Sequence, residues 1–358
     1  MRERVVVAMS GGVDSSVAAA LLVERGYEVV GVGLRLADRP RAESFHRGCC
    51  APRDLADARA VAARLGFPFY VMDVRETFRG AVIDRFVAEY GRGRTPNPCV
   101  ACNQIVKFDH LASRARALGA SRLATGHYAR RIQAPEGRLT LARSADRAKD
   151  QTYFLFGLTQ EQLRLAMFPL GDFDKAATRG AARRLGLTNA EKPESQEICF
   201  VPEGDYRAFL RRERPGMDRP GRIVDLGGAV VGAHAGVAGF TVGQRRGLGL
   251  AGGASPRYVV RLEAETATVV VGGREALEQA RFRVEGVRWS LPAGRGGRRL
   301  LVQVRHRQRP APCRVAPLPG RAAEVEPEDP AALGAVAPGQ AAVFYEGDIL
   351  RGGGWVAG

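Results

Sequence analysis

One segment near the start of the chain has the composition of a phosphate-binding loop. Its sequence, SGGVDSS at residues 10–16, follows an apolar run and precedes a helical pattern. Glycines let the backbone turn tightly, and the N–H groups at the start of a helix then face an anion. The segment has neither the Gly-Lys-Ser/Thr end of a Walker A loop nor GxGxxG spacing. It therefore predicts a phosphate-binding turn, and the structural alternative is a tight turn capped by Asp14 or a serine.

Two cysteines at CxxC spacing form a second candidate for chemistry. Cys99 and Cys102 follow two prolines at the entrance to a predicted helix, whose dipole can lower a thiol pKa. Half of a structural zinc site is one alternative, although no second CxxC or HxxxH pair occurs at zinc-finger spacing. A thioredoxin-like redox pair is another. The pair is therefore a candidate for metal, cluster or nucleophilic chemistry.

The other cysteines differ in their surroundings. Cys199 lies between two apolar residues, where a buried small side chain competes with a functional thiol. Cys49 and Cys50 lie in a predicted loop as either active-site or inert residues, and Cys313 belongs to a predicted core strand. Six cysteines in 358 residues are too few for a disulfide framework, and the chain begins without a signal-peptide pattern. These features predict a reducing cytoplasm.

The overall charge indicates a polyanionic partner. The chain has 54 lysine and arginine residues against 38 acidic residues, a formal net charge of +16. Such a surplus attracts nucleic acid, and arginine makes bidentate contacts with phosphate. No apolar run approaches the roughly 20 residues that span a bilayer. We therefore expect a nucleic-acid-binding protein rather than an integral membrane protein.

The elements that must position these residues change character along the chain. Apolar strand-like runs alternate with helical patterns until about Leu187, as is typical of a parallel α/β sheet. From Gly221, short β-branched runs predict small antiparallel sheets, and the strand spacing after them predicts a closed β-barrel. The fold class is therefore α/β with a β-barrel, and the predicted domains are residues 1–205, 206–272 and 273–358.

Polar residues at the ends of predicted strands are candidate ligands. Gly126 and His127 follow a predicted parallel strand, at the end where such sheets bind ligands. The structural alternative for His127 is a histidine whose ring nitrogens make their hydrogen bonds within the protein. Arg305, Arg307 and Arg309 lie in the predicted barrel, where they either contact phosphate or form a solvated basic strand edge.

Motifs spread over nearly the whole chain together resemble one family. Besides residues 10–16, they are Thr95 to Asn103, Lys107-Phe108, Ala124 to Tyr128, Lys149 to Tyr153, Ile198 to Phe200, Gly243 to Gly249 and Pro338 to Gln340. Residues 10–16 alone resemble the PP-loop of ATP pyrophosphatases, which cleave ATP between the α and β phosphates. In this order, the full set resembles the tRNA-specific 2-thiouridylase family of the bacterial MnmA type.

The resemblance implies an architecture and a reaction. The architecture is an N-terminal PP-loop domain of the adenine nucleotide α-hydrolase type, a small central domain and a C-terminal β-barrel. The reaction replaces the C2 oxygen of the wobble uridine by sulfur in tRNAs for Lys, Glu and Gln, with ATP and Mg²⁺ as cofactors. Adenylation makes this poor leaving group into AMP, which a sulfur nucleophile then displaces. The implied partners are tRNA and a sulfur donor, either a cysteine desulfurase, a sulfur-relay protein or sulfide, but neither DNA nor a membrane.

By the same resemblance, each motif contributes residues to one part of the site. The residues expected to bind ATP are Ala8, Met9, Ser10, Gly11, Gly12, Val13, Asp14, Ser15, Leu34 and Gly126. Asp14 would also help to hold magnesium. The residues expected to contact tRNA are Asn97, Pro98, Cys99, His127, Lys149, Asp150, Gln151, Arg305, His306 and Gln340. Cys199 would carry a persulfide, and Cys102 would assist sulfur transfer or resolve the product through a disulfide with Cys199.

One position departs from the family pattern. Many family members have an aspartate where this chain has Cys99. Cys99, Cys102 and Cys199 could then bind a [4Fe-4S] cluster whose open iron carries sulfide, as in the related cluster-dependent tRNA thiolases. Because an acidic residue is a poor cluster ligand and this chain lacks it, we favour the cluster over the persulfide route.

Two other functions fit parts of the sequence. Another adenylating ligase or amidotransferase, with a small-molecule acceptor, would share the phosphate loop. Such an enzyme would need neither three spaced cysteines nor a basic barrel. An RNA-binding module that keeps a nucleotide loop for regulation would modify no RNA. Thiolation of tRNA is the function that accounts for all the motifs together.

Overall fold

The protein consists of two compact units, each assembled from separate stretches of chain. The computed structural model describes residues 2–37, 52–194, 198–201, 204–250, 255–294 and 296–358. The first unit comprises Met1–Ile83, Pro98–Gly204 and Asp348–Leu350, and the second comprises Asp84–Asn97, Asp205–Gly347 and Arg351–Gly358. Cys49 and Cys50 lie outside the described residues. The domain limits expected from the sequence stay a prediction.

Helices and strands have the following bounds. The helices are α1 (Val13–Glu24), α2 (Pro52–Leu65), α3 (Arg75–Phe78), α4 (Arg85–Gly91), α5 (Pro98–Ala101), α6 (Leu111–Ala117), α7 (Gln160–Leu165), α8 (Lys175–Arg184), α9 (Tyr206–Glu213) and α10 (Pro330–Leu333). The strands are β1 (Arg4–Ala8), β2 (Glu28–Arg35), β3 (Phe69–Asp73), β4 (Arg122–Thr125), β5 (Ala129–Gln133), β6 (Leu139–Arg143), β7 (Ala166–Met167), β8 (Gly221–Val224), β9 (Val230–His234), β10 (Tyr258–Glu263), β11 (Thr268–Gly272), β12 (Phe282–Trp289), β13 (Arg298–Gln303), β14 (Ala311–Leu318), β15 (Ala322–Pro327), β16 (Ala341–Glu346) and β17 (Ile349–Val356). Among the described helices, none is long and apolar enough to cross a membrane.

A five-stranded parallel sheet in the order β3-β2-β1-β4-β7 forms the centre of the first unit. β1 and β2 are almost continuously apolar, as expected for strands that are covered on both faces. Residues 5–7 of β1 are fully buried, and so is Val17 of α1, which packs in the same core. The predicted parallel α/β sheet is confirmed.

The strand order brings two loops together at one edge of this sheet. β1 lies between β2 and β4, so the order of connections reverses at β1. Ala8, the last residue of β1, pairs with Thr125, the last residue of β4. Ligands of parallel sheets bind beyond the carboxyl ends of the strands at such a reversal. The loops that follow β1 and β4 are therefore neighbours at the position where a ligand is expected.

Two helices begin earlier than the sequence pattern predicts. The pattern places helices near residues 83–90 and 105–118, whereas helical structure runs from Arg75 to Gly91 and from Pro98 to Ala117. Each stretch contains a π-helical segment, Arg79–Asp84 and Cys102–His110. Such segments disturb the period of 3.6 residues by which a helix is predicted. The CxxC motif consequently spans the first turn of its helix.

The small sheet of the second unit corrects one prediction. Its strand order is β10-β11-β8-β9, and the central pair β8 and β11 is parallel, not antiparallel. Two antiparallel hairpins lie side by side here, and the chain between β9 and β10 is long enough to return to the same end.

The prediction that helical structure fades after about Leu187 misses α9, which spans Tyr206–Glu213.

Six strands of the second unit form a closed barrel in the order β12-β15-β14-β13-β16-β17, with β12 paired to β17. Its interior is apolar, and Val302, Cys313 and Phe344 are fully buried there. Burial raises the pKa of the Cys313 thiol to about 12, so this cysteine is an inert core residue. The predicted barrel and the predicted core position of Cys313 are confirmed.

The sequence pattern does not predict the strand that closes the barrel. β17 contains three consecutive glycines, residues 352–354, and glycine is depleted in strands. A Cβ at Gly352 would lie 2.5 Å from the carbonyl oxygen of Arg288, and one at Gly354 would lie 2.6 Å from that of Glu285. The glycines therefore allow β17 to approach β12 closely enough to close the barrel.

Candidate functional site

The phosphate loop between β1 and α1 is ordered by its own serines. Ser15 Oγ accepts a hydrogen bond from the Ser10 backbone N–H (3.2 Å) and donates one to the Gly12 carbonyl oxygen (3.0 Å). The Ser16 hydroxyl also donates to the Gly12 carbonyl oxygen (3.1 Å). These contacts hold the turn in the shape that presents its N–H groups at the start of α1.

Residues from later segments support the same loop. Gly11 has φ +73°, and a Cβ there would lie 2.0 Å from the Asp54 carbonyl oxygen, so only glycine fits. The Gly11 carbonyl oxygen accepts hydrogen bonds from Asn189 Nδ2 (3.0 Å) and Lys192 Nζ (3.1 Å). Lys192 Nζ also lies 2.5 Å from the carboxylates of both Asp54 and Asp57. The loop is therefore fixed by contacts of Gly11 with residues from later segments of the chain.

Gly126 lies directly against the start of α1. A Cβ at this position would lie 2.6 Å from the backbone nitrogen of Ser15 and 2.7 Å from the carbonyl carbon of Asp14. Only a glycine allows this approach without displacing the helix. The β4 loop and the phosphate loop are thus in direct contact, and the ATP contact expected for Gly126 stays a prediction.

A row of alternating charges runs from α1 across this surface. Asp14 Oδ1 accepts hydrogen bonds from the Tyr128 hydroxyl (3.0 Å) and from Lys175 Nζ (2.7 Å). Lys175 Nζ also lies 2.7 Å from Glu194 Oε1, and Lys149 Nζ lies 2.7 Å from Glu194 Oε2. We call this row of contacting side chains, in the order Asp14, Lys175, Glu194 and Lys149, the carboxylate–lysine chain. Its side chains are partly withdrawn from water, which strengthens their interactions.

Glu194 is ionised at neutral pH. Burial by itself raises the pKa of Glu194. The hydrogen bonds and positive charges of Lys149 and Lys175 outweigh burial and lower this pKa to about 2. Burial and the nearby Asp14 carboxylate raise the pKa of Tyr128 well above its ordinary value. Tyr128 therefore keeps its hydroxyl proton at neutral pH and can donate it to Asp14.

His127 follows β4 and is neutral at physiological pH. Burial, and then the positive charge of Lys107, hold its pKa well below the ordinary value. Its Nδ1 lies 2.7 Å from the Thr125 hydroxyl, and its ring packs near the rings of Phe108 and Phe168. A neutral imidazole in an aromatic setting suits contact with a base better than contact with phosphate.

Asp150 and Gln151 support the β4 loop. Asp150 accepts hydrogen bonds from the Ser144 backbone N–H (3.0 Å) and the Thr152 hydroxyl (2.6 Å), and burial raises its pKa. Gln151 accepts a hydrogen bond from the Tyr128 backbone N–H with Oε1 (3.0 Å) and donates its own N–H to the Tyr128 carbonyl oxygen (2.9 Å). Gln151 thus positions Tyr128, Asp150 ties Ser144 to Thr152, and the contact of both residues with tRNA stays a prediction.

The three cysteines of interest all belong to the first unit, in different settings. Cys99 is exposed in the first turn of α5, Cys102 is buried, and Cys199 is half-buried. Phe200 is buried and packs edge-on against Phe78 (5.7 Å between ring centroids), which anchors the turn that carries Cys199. In the parts of the chain that the structure describes, no three His, Cys, Asp or Glu side chains form a group that could hold a metal ion. That Cys99, Cys102 and Cys199 hold a cluster stays a prediction.

The expected tRNA-contacting residues of the barrel are engaged with the protein. Arg305 Nη2 donates a hydrogen bond to the Val242 carbonyl oxygen (2.9 Å). His306 is half-buried, and burial and the neighbouring Arg307 lower its pKa, so it adds no positive charge at neutral pH. Arg307 is exposed. Of these three residues, Arg307 is the most available for phosphate.

Gln340 holds the segment that leads to the CxxC motif. Its Nε2 donates a hydrogen bond to the Thr95 carbonyl oxygen (2.8 Å), and the Thr95 N–H donates to the Pro338 carbonyl oxygen (2.8 Å). Asn97 is half-buried and Pro98 is buried. Gln340 therefore has a structural role beside the tRNA contact that the resemblance implies.

Some of the expected ATP-binding residues can contribute only main-chain atoms. Met9, Val13 and Leu34 have side chains that are 2–5% exposed, within the sheet and its covering helix. Ala8 is the half-buried last residue of β1. A nucleotide at the edge of the sheet would consequently meet the backbone of these residues, which agrees with a loop that binds phosphate through N–H groups.

Lys175, Glu194 and Lys192 are charged residues at this site that the sequence reasoning did not select. They lie far from the phosphate loop in sequence, and only the fold brings them to Asp14 and Gly11. The composition contains one signal that could have drawn attention to Lys175 and Lys192: only four of the 54 basic residues are lysines.

Comparisons with known proteins cover nearly the whole chain. Residues 3–203 match a family model described as tRNA methyl transferase HUP domain, residues 207–273 its PRC-barrel domain, and residues 279–356 an aminomethyltransferase beta-barrel domain. A tRNA-specific 2-thiouridylase MnmA of Geobacter metallireducens is 50% identical over 99% of this chain and 97% of its own length. One of Rhodospirillum centenum is 51% identical over 99% of this chain and 91% of its own. A solved NMN synthetase from Francisella tularensis aligns with 54% of this chain and 66% of its own at 14% identity and a TM-score of 0.34, too low to carry an argument.

The close approach of Gly126 to α1 predicts a specific defect. Gly126→Ala places a Cβ 2.6 Å from the Ser15 nitrogen and should displace the first turn of the helix. We expect ATP affinity, measured by calorimetric titration, to fall by roughly tenfold, which corresponds to about 1.4 kcal/mol. Gly180→Ala is the control, because nothing lies within 4 Å of that helical glycine. Equal ATP affinity in the two variants would contradict the prediction.

The lowered pKa of Glu194 predicts a dependence of stability on pH. Its ionised form stabilises the fold fully above the ordinary glutamate pKa of 4.5, and this contribution disappears as the pH falls through about 2. Glu194→Gln should therefore be less stable than wild type in urea at pH 7, and the difference should shrink as the pH falls below about 4.5. Glu161→Gln, which removes an exposed ion pair with Arg116, is the control. A Glu194 effect that stays constant down to pH 3 would contradict the assignment.

Proposed function

Because this chain belongs to the tRNA-specific 2-thiouridylase family, we propose that it attaches AMP to the C2 oxygen of the wobble uridine and then replaces that oxygen by sulfur. Membership makes the protein an ATP-using tRNA-uridine 2-sulfurtransferase. The order of the two steps, the source of sulfur and the residues that act are the proposed part. The substrates are tRNAs of the Lys, Glu and Gln type.

One observation carries the adenylation step. A phosphate loop at the carboxyl edge of a parallel sheet is joined to a chain of carboxylates and lysines that begins at Asp14, in the first turn of α1. Backbone N–H groups and ammonium groups stabilise the charge that develops on a departing pyrophosphate. An enzyme that displaced the uridine oxygen directly would need no such site, because no phosphate would leave.

The first step forms one bond to the α-phosphorus of ATP and breaks another. The C2 oxygen of the uracil attacks the α-phosphorus of ATP, the bond from that phosphorus to the bridging oxygen of the β-phosphate breaks, and pyrophosphate leaves. Asp14 fits a role as a carboxylate ligand of Mg²⁺, provided that it exchanges the Lys175 ammonium for the ion. Magnesium would supply charge neutralisation for the phosphates. Tyr128 keeps Asp14 oriented throughout.

The second step moves sulfur. The terminal sulfur of a Cys199 persulfide attacks C2, and AMP leaves with the original oxygen. The Cys102 thiolate then attacks the Cys199 Sγ, which forms a Cys102–Cys199 disulfide and releases the base with its new sulfur. A thiol reductant must cleave this disulfide before the next cycle. A cysteine desulfurase or a sulfur-relay protein would reload Cys199, in a cytoplasm that keeps both thiols reduced.

The cluster route expected from Cys99 has less support. A cluster needs its thiolates around one point in space, and within the described ranges Cys99, Cys102 and Cys199 do not form such a group. We therefore assign no step to a cluster and none to Cys99.

Charge supports the choice of RNA as substrate. The net charge of +16 suits a tRNA backbone, and Arg307 and Arg309 of the barrel unit are exposed, which supports a role in contacting phosphate. The neutral His127 beside the phosphate loop is suited to the extruded uridine. Each of these contacts is part of the proposal.

The sulfur route predicts distinct phenotypes for three cysteine variants. With ATP, magnesium, unmodified tRNA and a persulfide donor, wild type should form 2-thiouridine, detected by mass spectrometry of the digested RNA. Cys102→Ser and Cys199→Ser should each lose on the order of a thousandfold in rate, while Cys99→Ser should stay active. Product from sulfide alone, bound iron and an inactive Cys99→Ser would instead establish the cluster route.

A further inference from the structure

Thr125 contacts His127 at the carboxyl end of β4. Thr125 Oγ1 and His127 Nδ1 are 2.7 Å apart, which is within hydrogen-bond distance. Thr125 is the last residue of β4 and is buried (3% exposed), whereas His127 is half-buried. His127 is part of the proposed uridine site, but Thr125 has no role there so far.

This contact decides which ring nitrogen of His127 carries the proton. A neutral imidazole has one N–H donor and one acceptor nitrogen, and the partner of one nitrogen determines the state of the other. Of the residues that the structure describes, only His127 offers its side chain to the Thr125 hydroxyl. A buried hydroxyl proton that lacks an acceptor is unfavourable, so the hydroxyl donates to Nδ1. The ring proton therefore lies on Nε2.

Aromatic side chains hold the His127 ring in one orientation. The ring centroids of Phe108 and Phe168 lie 6.4 Å and 6.3 Å from that of His127, and the two phenyl rings also pack on each other at 5.9 Å. Burial, followed by the positive charge of Lys107, keeps the pKa of His127 low, so Nδ1 stays an acceptor. Because no described residue pairs with Nε2, its N–H is left for a ligand.

We infer that Thr125 is a positioning residue that fixes His127 as an Nε2–H donor, and that this donor selects uracil by binding its C4 oxygen. The inference rests on the proposed function, because it names the part of the base that His127 contacts. Uracil has a carbonyl oxygen at C4, whereas cytosine has an amino group there, which is a donor. Two donors cannot hydrogen-bond to each other, so the same N–H rejects cytosine.

The chemistry of the reaction favours the C4 oxygen over the C2 oxygen as the partner of His127. In the proposed first step the C2 oxygen attacks phosphorus with a lone pair, and an N–H bound to that oxygen would lower its nucleophilicity. The C4 oxygen takes no part in either step. A neutral donor also lacks the net charge that would favour a phosphate over a carbonyl oxygen.

The first test measures the tautomer in the full chain without substrate. Long-range ¹H–¹⁵N correlation spectra of protein labelled with ¹⁵N-histidine distinguish an N–H from an acceptor nitrogen, and His127→Ala identifies the signal among the five histidines. We expect the proton on Nε2 at pH 7. Thr125→Val should shift the Nδ1 resonance, because the hydrogen bond to that nitrogen is lost. A proton on Nδ1, or on both nitrogens, would overturn the inference.

The second test measures the selection of uracil with anticodon stem-loops that carry uridine or 4-thiouridine at the wobble position. The sulfur of 4-thiouridine is a weak acceptor, while the C2 oxygen is kept. The preference for uridine is the ratio of the two kcat/KM values for 2-thiolation. It should fall by roughly tenfold in His127→Ala and by roughly threefold or more in Thr125→Val. Differences in the intrinsic reactivity of the two bases are the same for every variant and cancel.

Two further variants separate positioning from stability. Thr125→Ser keeps a hydroxyl and should retain the preference of the wild type. Thr140→Val is the matched control, because it removes another buried hydroxyl, which donates to the Leu350 carbonyl oxygen at 2.6 Å. It should leave the preference for uridine unchanged even if the protein becomes less stable.

The outcomes distinguish this inference from the function on which it rests. Equal preference in wild type and His127→Ala would overturn the selection of the C4 oxygen, and unchanged preference in Thr125→Val would overturn the role of Thr125. Should Thr125→Val fail to fold, the tautomer of the wild type decides. A wild type that makes no 2-thiouridine from the uridine stem-loop would refute the proposed function instead, and the tautomer, measured without substrate, would still decide whether Thr125 fixes the ring.

Discussion

The contact of Gly126 with the first turn of α1 is the constraint on which the rest of the site depends. It fixes the β4 loop against the phosphate loop at the reversal point of the parallel sheet. Tyr128, two residues later, then reaches Asp14, and Asp14 in turn reaches Lys175. Without room for this approach, the β4 loop and the first turn of α1 could not lie in contact.

Charge compensation explains how so many ionised groups are stable in one place. Lys175 and Lys192 each lie between two carboxylates, Lys149 pairs with Glu194, and Asp14 also accepts a hydrogen bond from the Tyr128 hydroxyl. A partly buried charge is tolerated only when it is paired in this way. The same arrangement is poised for exchange, because a ligand with phosphate and magnesium brings equivalent partners of both signs.

The parts of the fold and site that depend on local chemistry could be predicted from the sequence. The parts that depend on tertiary contacts could not. The phosphate loop, the parallel sheet and the barrel follow from glycine placement and apolar periodicity within short windows. The pairing of Lys175 with Asp14 joins residues 161 positions apart, and no window reveals it. β17 was not predicted from the sequence because its glycines, which allow the barrel to close, are residues that strands ordinarily disfavour. Cluster formation was expected from residue types alone, and it stays a prediction because residue types do not fix the distances between three sulfur atoms.

The fate of the uridine oxygen tests the central claim most directly. A synthetic anticodon stem-loop, or full tRNA, that carries ¹⁸O at C2 of the wobble uridine would be thiolated in a single turnover with ATP, and the products would be analysed by mass spectrometry. Adenylation of that oxygen predicts that the label is recovered in AMP, one atom for each 2-thiouridine formed. Recovery of the label in water or in pyrophosphate, with unlabelled AMP, would contradict the account.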